Sequence, residues 1–159
     1  PTRRGAGDTT GATDNPTTTL VVGADGSSNA SQALDTAIWL APSTGSERRV
    51  VHALGLTPAL NGEHVLTEGN EDAIEKQLRE VWCGPLAEVE GLSWHSELRY
   101  GSPADALLSA ARDGASMVVV GTRGMREDSD HLLGSTSHHV VHRCPCPVVV
   151  VPPLVPEEQ

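Results

Sequence analysis

From Thr19 onward, short apolar runs alternate with stretches whose apolar residues recur at helical spacing. Residues 19–24 have the length of a buried strand and end in turn chemistry, Asp25-Gly26-Ser27-Ser28, that also caps helices. Ala30, Ala33, Leu34, Ala37, Ile38 and Ala41 then lie on one stripe at a 3.6-residue period, which predicts a helix stopped by Pro42. The unit repeats. Residues 49–55 read as a second strand and 56–70 as a loop. A second helix begins near Glu71, with Ile74, Leu78, Val81 and Trp82 on one face. Cys83-Gly84-Pro85 predicts a kink or break in it, because proline lacks an N–H and clashes one turn back. Residues 94–100 alternate weakly as a third strand, and Ser102-Pro103 starts a third helix whose stripe is Leu107, Leu108 and Ala111. Residues 117–121 and 147–151 are near-continuous apolar runs, the pattern of strands buried on both faces. Between them Gly134-Ser135-Thr136-Ser137 opens a fourth helix.

Five strands alternating with four helices predict an α/β fold, a Rossmann-like three-layer sandwich with a five-stranded parallel sheet. Such sheets bind ligands beyond the carboxyl ends of their strands, where the strand order reverses. That directs attention to Asp25-Gly26-Ser27, to His52-Ala53-Leu54 and to residues 121–137. Residues 1–18 are polar and without periodicity, which predicts a disordered N-terminal tail; residues 19–153 form the domain and 154–159 a C-terminal tail.

Charge and composition narrow the partners. The 159 residues carry a net charge of −10 and a single Lys, Lys76, which argues against nucleic acid and anionic membranes, both bound through clustered Lys and Arg. Most of that acidity is the solvated helix region 61–90, with eight acidic and two basic residues. No apolar run approaches the roughly 18 residues of a membrane span. Arg3 and Arg4 lack the apolar stretch of an export signal, so the expectation is a cytoplasmic protein with no membrane partner. Cys83, Cys144 and Cys146 are too few and too irregular for a secreted disulfide framework and are expected to be reduced. With no Phe and 3 % aromatic residues, the core must be aliphatic.

The most informative segment is Gly121-Thr122-Arg123-Gly124, then nine residues, then Gly134-Ser135. Glycine at a strand's end lets the backbone approach a ligand, a second glycine permits positive φ, and a third opens a helix. The free N–H groups near Gly134, Ser135 and Thr136, with two hydroxyls and the helix dipole, suit an anion such as phosphate. The bland alternative is a turn and a helix cap.

This spacing resembles the nucleotide-binding signature of the universal stress protein family. Three more segments are similar to that family in the same order: residues 20–27 to its first strand and acidic turn, 101–107 to its third-helix entry, and 146–151 to its last strand. The resemblance spans about residues 20–152 and implies the ATP-binding type. The implied binding set is Gly23, Ala24 and Asp25; Ala53; Val120, Gly121, Arg123 and Gly124; and Gly134, Ser135, Thr136 and Ser137. By that resemblance Asp25 faces the ribose or adenine, Ala53 the adenine, Val120 and Gly121 the sugar side, and Gly124, Gly134, Ser135 and Thr136 the phosphates. It also implies a homodimer through the last strand, Val148 to Val151.

The spacer departs from the family in carrying Glu127, Asp128 and Asp130 beside Arg123 and Arg126. An inward carboxylate at ~4 Å and an effective dielectric of about 20 opposes a phosphate charge by about 4 kcal/mol. These groups either face water, or favour AMP or cyclic AMP over ATP, or help hold Mg²⁺ with ATP. His138, His142, Cys144 and Cys146 could be drawn together as a zinc site, but Cys-Pro-Cys spacing is tight for chelation and the histidines fit an exposed helix face. No motif assigns a nucleophile or a general base. The reading is a ligand-sensing regulatory module that binds an adenine nucleotide and is read by a protein partner. The alternatives are an interaction protein without nucleotide and, at most, a slow ATPase.

Overall fold

The computed structural model describes residues 18–55, 57–58, 64–65, 70–123 and 133–154. In chain order its elements are β1 (Thr19–Gly23), α1 (Ser28–Trp39), α2 (Ala41–Thr44), β2 (Glu47–Leu54), β3 (Thr57–Pro58), β4 (His64–Val65), α3 (Glu71–Gln77), a π-helical turn (Leu78–Trp82), α4 (Gly84–Ala87), β5 (Trp94–Tyr100), α5 (Pro103–Arg112), β6 (Met117–Gly121), α6 (Ser135–Arg143) and β7 (Val148–Val151). Of the expected tails, 1–18 and 154–159, residues 1–17 and 155–159 lie outside the described residues, as do Gly124 and the acidic segment 127–130 of the spacer.

The fold is the expected α/β class. Five strands form one parallel sheet in the order β5-β2-β1-β6-β7. Two apolar layers sandwich it. On one face Val22, Val50 and Val119 pack with Leu34, Leu78, Cys83 and Leu86; on the other Val21, Val51, Val118 and Val120 pack with Leu107, Ala110 and Val140. Because successive strand residues point to opposite faces, both halves of each central strand are apolar.

Among the described residues six α-helices stand where four were expected, the additions being the single turns α2 and α4. Pro42 does not simply stop the first helix: it sits at the second position of α2, where no intrahelical N–H is needed. The segment expected to be a loop after β2 contains the two-residue antiparallel ladder β3–β4. The valines of β7 are half-buried rather than buried on both faces, because β7 is the sheet's edge.

The predicted break near Pro85 starts earlier than expected and changes which residues face the core. From Leu78 the helix widens into a π-turn, with Cys83 N–H donating to Leu78 C=O at 2.9 Å, five residues back. The inward set becomes Leu78, Cys83 and Leu86, all fully buried, while Val81, expected on the apolar face, is 64 % exposed. One residue more per turn rotates the face past Val81 and leaves Trp82 over the β1–α1 turn.

Candidate functional site

The sheet order places the reversal between β1 and β6: the chain builds outward through β2 and β5, then crosses to β6 and β7 on the far side of β1. The Asp25 turn and the Gly121 segment, two of the predicted loops, therefore stand side by side at the strands' carboxyl ends, where open α/β sheets have their ligand crevice. β2 runs three residues past its last partner on β1, since Val51 pairs with Gly23, so Ala53 lies half-buried beside the crevice.

The β1–α1 turn is rigid. Asp25 Oδ1 accepts from the Ser27 N–H at 2.9 Å and from Ser27 Oγ at 2.5 Å, while Ser27 Oγ caps α1 by accepting from Ala30 N–H at 3.2 Å. Gly26 has φ +79, and a Cβ on it would stand 2.8 Å from the Trp82 indole. The turn thus needs glycine for its dihedral and for the tryptophan above it. His52 completes this corner: its Nδ1–H donates to Ala24 C=O at 2.7 Å, and its ring meets Trp82 edge-on with centroids 4.9 Å apart. A carbonyl only accepts, so the proton is on Nδ1. His52, expected to be a strand residue beside the cleft, has this second role.

Asn29 organises the other wall. It is 5 % exposed, and its amide reaches three segments. Oδ1 accepts from Arg123 N–H at 2.8 Å and Thr122 Oγ1 at 3.1 Å; Nδ2 donates to Val151 C=O at 3.1 Å and to Gln32 Oε1 at 3.3 Å. Gly121 is explained by the same side chain, since a Cβ there would lie 2.8 Å from Asn29 Cγ. The close approach that requires this glycine is to Asn29 rather than to a ligand. Sequence reasoning missed Asn29, because an asparagine in a helix's first turn has the pattern of a solvated residue. Trp82 was missed as a site residue because only the π-turn aims it at Gly26.

The two ends of the glycine segment are pinned at Thr122 C=O, which accepts from Gly134 N–H at 2.6 Å and from Ser137 Oγ at 2.8 Å. Ser137 is 2 % exposed, and its hydroxyl is committed to this tie. Gly134 is the N-cap of α6 with extended backbone (φ −66, ψ 163) and brings no side chain to cap the helix. The first N–H groups of α6, at Ser135 and Thr136, thus point out of the helix start with its positive dipole end, and His142 and Arg143 sit in its last turn, where cations suit the dipole. A cavity of about 350 Å³ opens beside them, between the starts of α5 and α6, lined by Ser102, Asp105, Ser135, Thr136, His139 and Arg143. Gly23, Ala24, Asp25, Ala53, Val120, Gly121, Arg123, Gly134, Ser135, Thr136 and Ser137 all lie on the strand ends or on the two segments after β1 and β6. The turn, the asparagine tie and the start of α6, with its glycine N-cap, stand together at this end of the sheet.

Comparison with known proteins agrees with this architecture. The model of the universal stress protein family matches residues 16–152. The universal stress protein YxiE of Bacillus subtilis is 31 % identical over 143 residues, covering 83 % of this chain and 97 % of the relative. The structure of UspA from Lactobacillus plantarum superposes with a TM-score of 0.72 at 25 % identity, over 84 % of this chain and 97 % of that one. The universal stress protein of Archaeoglobus fulgidus in complex with dAMP superposes with a TM-score of 0.60, also at 25 % identity, over 84 % and 97 % of the two chains. With the strand order, the glycine-flanked segment and these matches in agreement, the chain belongs to the universal stress protein family.

Proposed function

We propose that this protein binds an adenine nucleotide in the crevice between the Asp25 turn and the start of α6, and acts as a ligand-sensing regulatory module. The observation that carries this reading is the N-terminus of α6, whose N-cap Gly134 brings no side chain, held against the end of β6 by Gly134, Ser137 and Thr122 beside the reversal point of the sheet. It offers backbone donors and a positive dipole end to phosphate oxygens, with Ser135 and Thr136 hydroxyls beside them. Asp25, at the end of β1, is the acceptor for ribose hydroxyls, and Ala53 leaves room for a flat base. The dAMP complex of the Archaeoglobus fulgidus relative supports an adenine ring and a phosphate as the chemistry. In this reading the glycine spacing favours ATP with Mg²⁺, whose triphosphate would extend from Ser135 and Thr136. Copies of the chain pair through the edge of β7, and a protein partner reads the liganded state of the segment after β6.

Calorimetric titration with ATP, AMP and cyclic AMP tests this. Saturable binding is expected, at least tenfold weaker after Gly134→Val and several-fold weaker after Ser135→Ala, with the circular dichroism spectrum retained. Absence of binding by any of the three up to millimolar concentration, in folded protein, refutes the reading and leaves the interaction protein without nucleotide. Equal affinity in both variants moves the site elsewhere.

A further inference from the structure

Cys144 and Cys146 stand at the connection from α6 to β7, outside the nucleotide crevice. Cys144 is the C-cap of α6, its N–H donating to Val140 C=O at 2.9 Å, and Pro147 C=O accepts from Val118 N–H at 3.0 Å. Both ends of the Cys-Pro-Cys segment are thus held by regular structure, and the chain bends at Pro145 and Cys146. Within this frame the two Sγ atoms are 3.5 Å apart, and both residues are partly exposed, whereas Cys83 is fully buried. We propose that Cys144 and Cys146 form a reversible redox site that reacts with hydroperoxides and closes to an intramolecular disulfide.

The separation has to fall from 3.5 Å to a bond of about 2 Å. Burial, followed by the hydrogen bond to Cys144 and its charge, pushes the Cys146 thiol up to about 11. Cys146 therefore holds its proton at neutral pH, and we assign the first attack to Cys144, 3.5 Å away. The Cys144 thiolate attacks one peroxide oxygen and the O–O bond breaks; the departing oxygen takes protons and leaves as water, and Cys144 becomes a sulfenic acid. Cys146 then gives up its proton, its sulfur attacks Cys144 Sγ, the S–O bond breaks and a second water leaves. Two thiols supply the two electrons that reduce one hydrogen peroxide to two waters, and a dithiol reductant reverses the change. A metal is the weaker occupant, because among the described residues no group of three or more ligating side chains converges. This proposal does not depend on nucleotide binding.

The test treats reduced full-length protein with hydrogen peroxide, then denatures, alkylates and weighs it. Before alkylation the mass is expected to fall by two hydrogens, and after it the alkylated thiols from three to one, with a Cys144–Cys146 linked peptide that dithiothreitol opens. Cys83→Ala should behave as wild type. Cys144→Ser and Cys146→Ser, both close to isosteric, should each abolish the loss of hydrogens, and Cys146→Ser should trap a sulfenic acid on Cys144 by reaction with dimedone. No disulfide at peroxide levels that oxidise dithiothreitol, a disulfide only between chains, sulfinic acid as the sole product, or a requirement for Cys83 would each overturn the assignment.

Discussion

Asn29 shows how one side chain can set the geometry of a whole crevice. Its amide holds Thr122, Arg123 and Val151, residues more than ninety positions away, and its bulk is what Gly121 leaves room for. Removing it leaves the part-buried Arg123 N–H without this acceptor, while Val151 C=O keeps the Thr122 N–H; a lost partner of this kind costs about 1 to 3 kcal/mol. Asn29→Ala is therefore expected to lower unfolding free energy in urea by that amount and to weaken adenine-nucleotide binding measured by calorimetry. Asn29→Asp keeps the acceptor towards Arg123 but loses the donor to Val151 and buries a charge, so its stability loss should be at least as large. Unchanged stability in Asn29→Ala would mean that water replaces the amide and that the ties do not hold the segment. At the same scale Asp25, Gly134 and Ser135 were legible in the sequence because their patterns are local: a turn, an N-cap and a spacing between glycines. Asn29 was not, since its partners are distant in the chain and only folding brings them within 3.1 Å.

Among the elements, the π-turn has the widest consequences. It converts an amphipathic stripe predicted from Ile74, Leu78, Val81 and Trp82 into an inward set of Leu78, Cys83 and Leu86, and turns Trp82 onto Gly26. The burial it imposes on Cys83 has a measurable outcome. Burial pushes that thiol up to about 11 from an ordinary value of 9.0. The folded state holds the proton more tightly, so this contribution is complete below pH 9.0 and is lost as pH rises towards 11. At about 1.4 kcal/mol per unit the loss is of order 3 kcal/mol. Urea denaturation between pH 8 and pH 11 should show wild type losing stability faster than Cys83→Ala, whose packing loss is constant with pH. Parallel decline of the two proteins would rule out the linkage. The period-3.6 pattern read from the sequence could not foresee this, because a single inserted residue per turn leaves no compositional mark.

For the whole molecule, the sheet order sets which segments stand together at the strands' carboxyl ends and which strand is left as an edge. The reversal between β1 and β6 makes the crevice, and β7 becomes an open edge with half-buried valines. Open edges pair with other chains. The Pro147 carbonyl accepts from Val118 of β6 and the Val151 carbonyl from Thr122 just past its end, so by the two-residue period of a strand the N–H of Val150 points away from the sheet. Val150→Pro should then block pairing between copies while leaving the ladder to β6 in place. Light scattering after size exclusion is expected to give a dimer for wild type and a monomer for Val150→Pro, with matching circular dichroism. A monomeric wild type, or a variant that remains dimeric, would refute pairing through β7. Among the described residues no helix is long and apolar enough to cross a membrane.

Alone, the sequence determined the α/β class, the five strands, the starts of α1, α5 and α6, and the glycine spacing that resembles the family. These follow from local rules: apolar period, capping residues, and glycine or proline at turns. The tertiary structure decided what depends on distant contacts. It set the exposure of Val81 and the burial of Cys83, because a helix's inward face is fixed by what it packs against. It made Asn29 the anchor of the segment after β6, and it brought two cysteines within 3.5 Å by holding both ends of the bend between them.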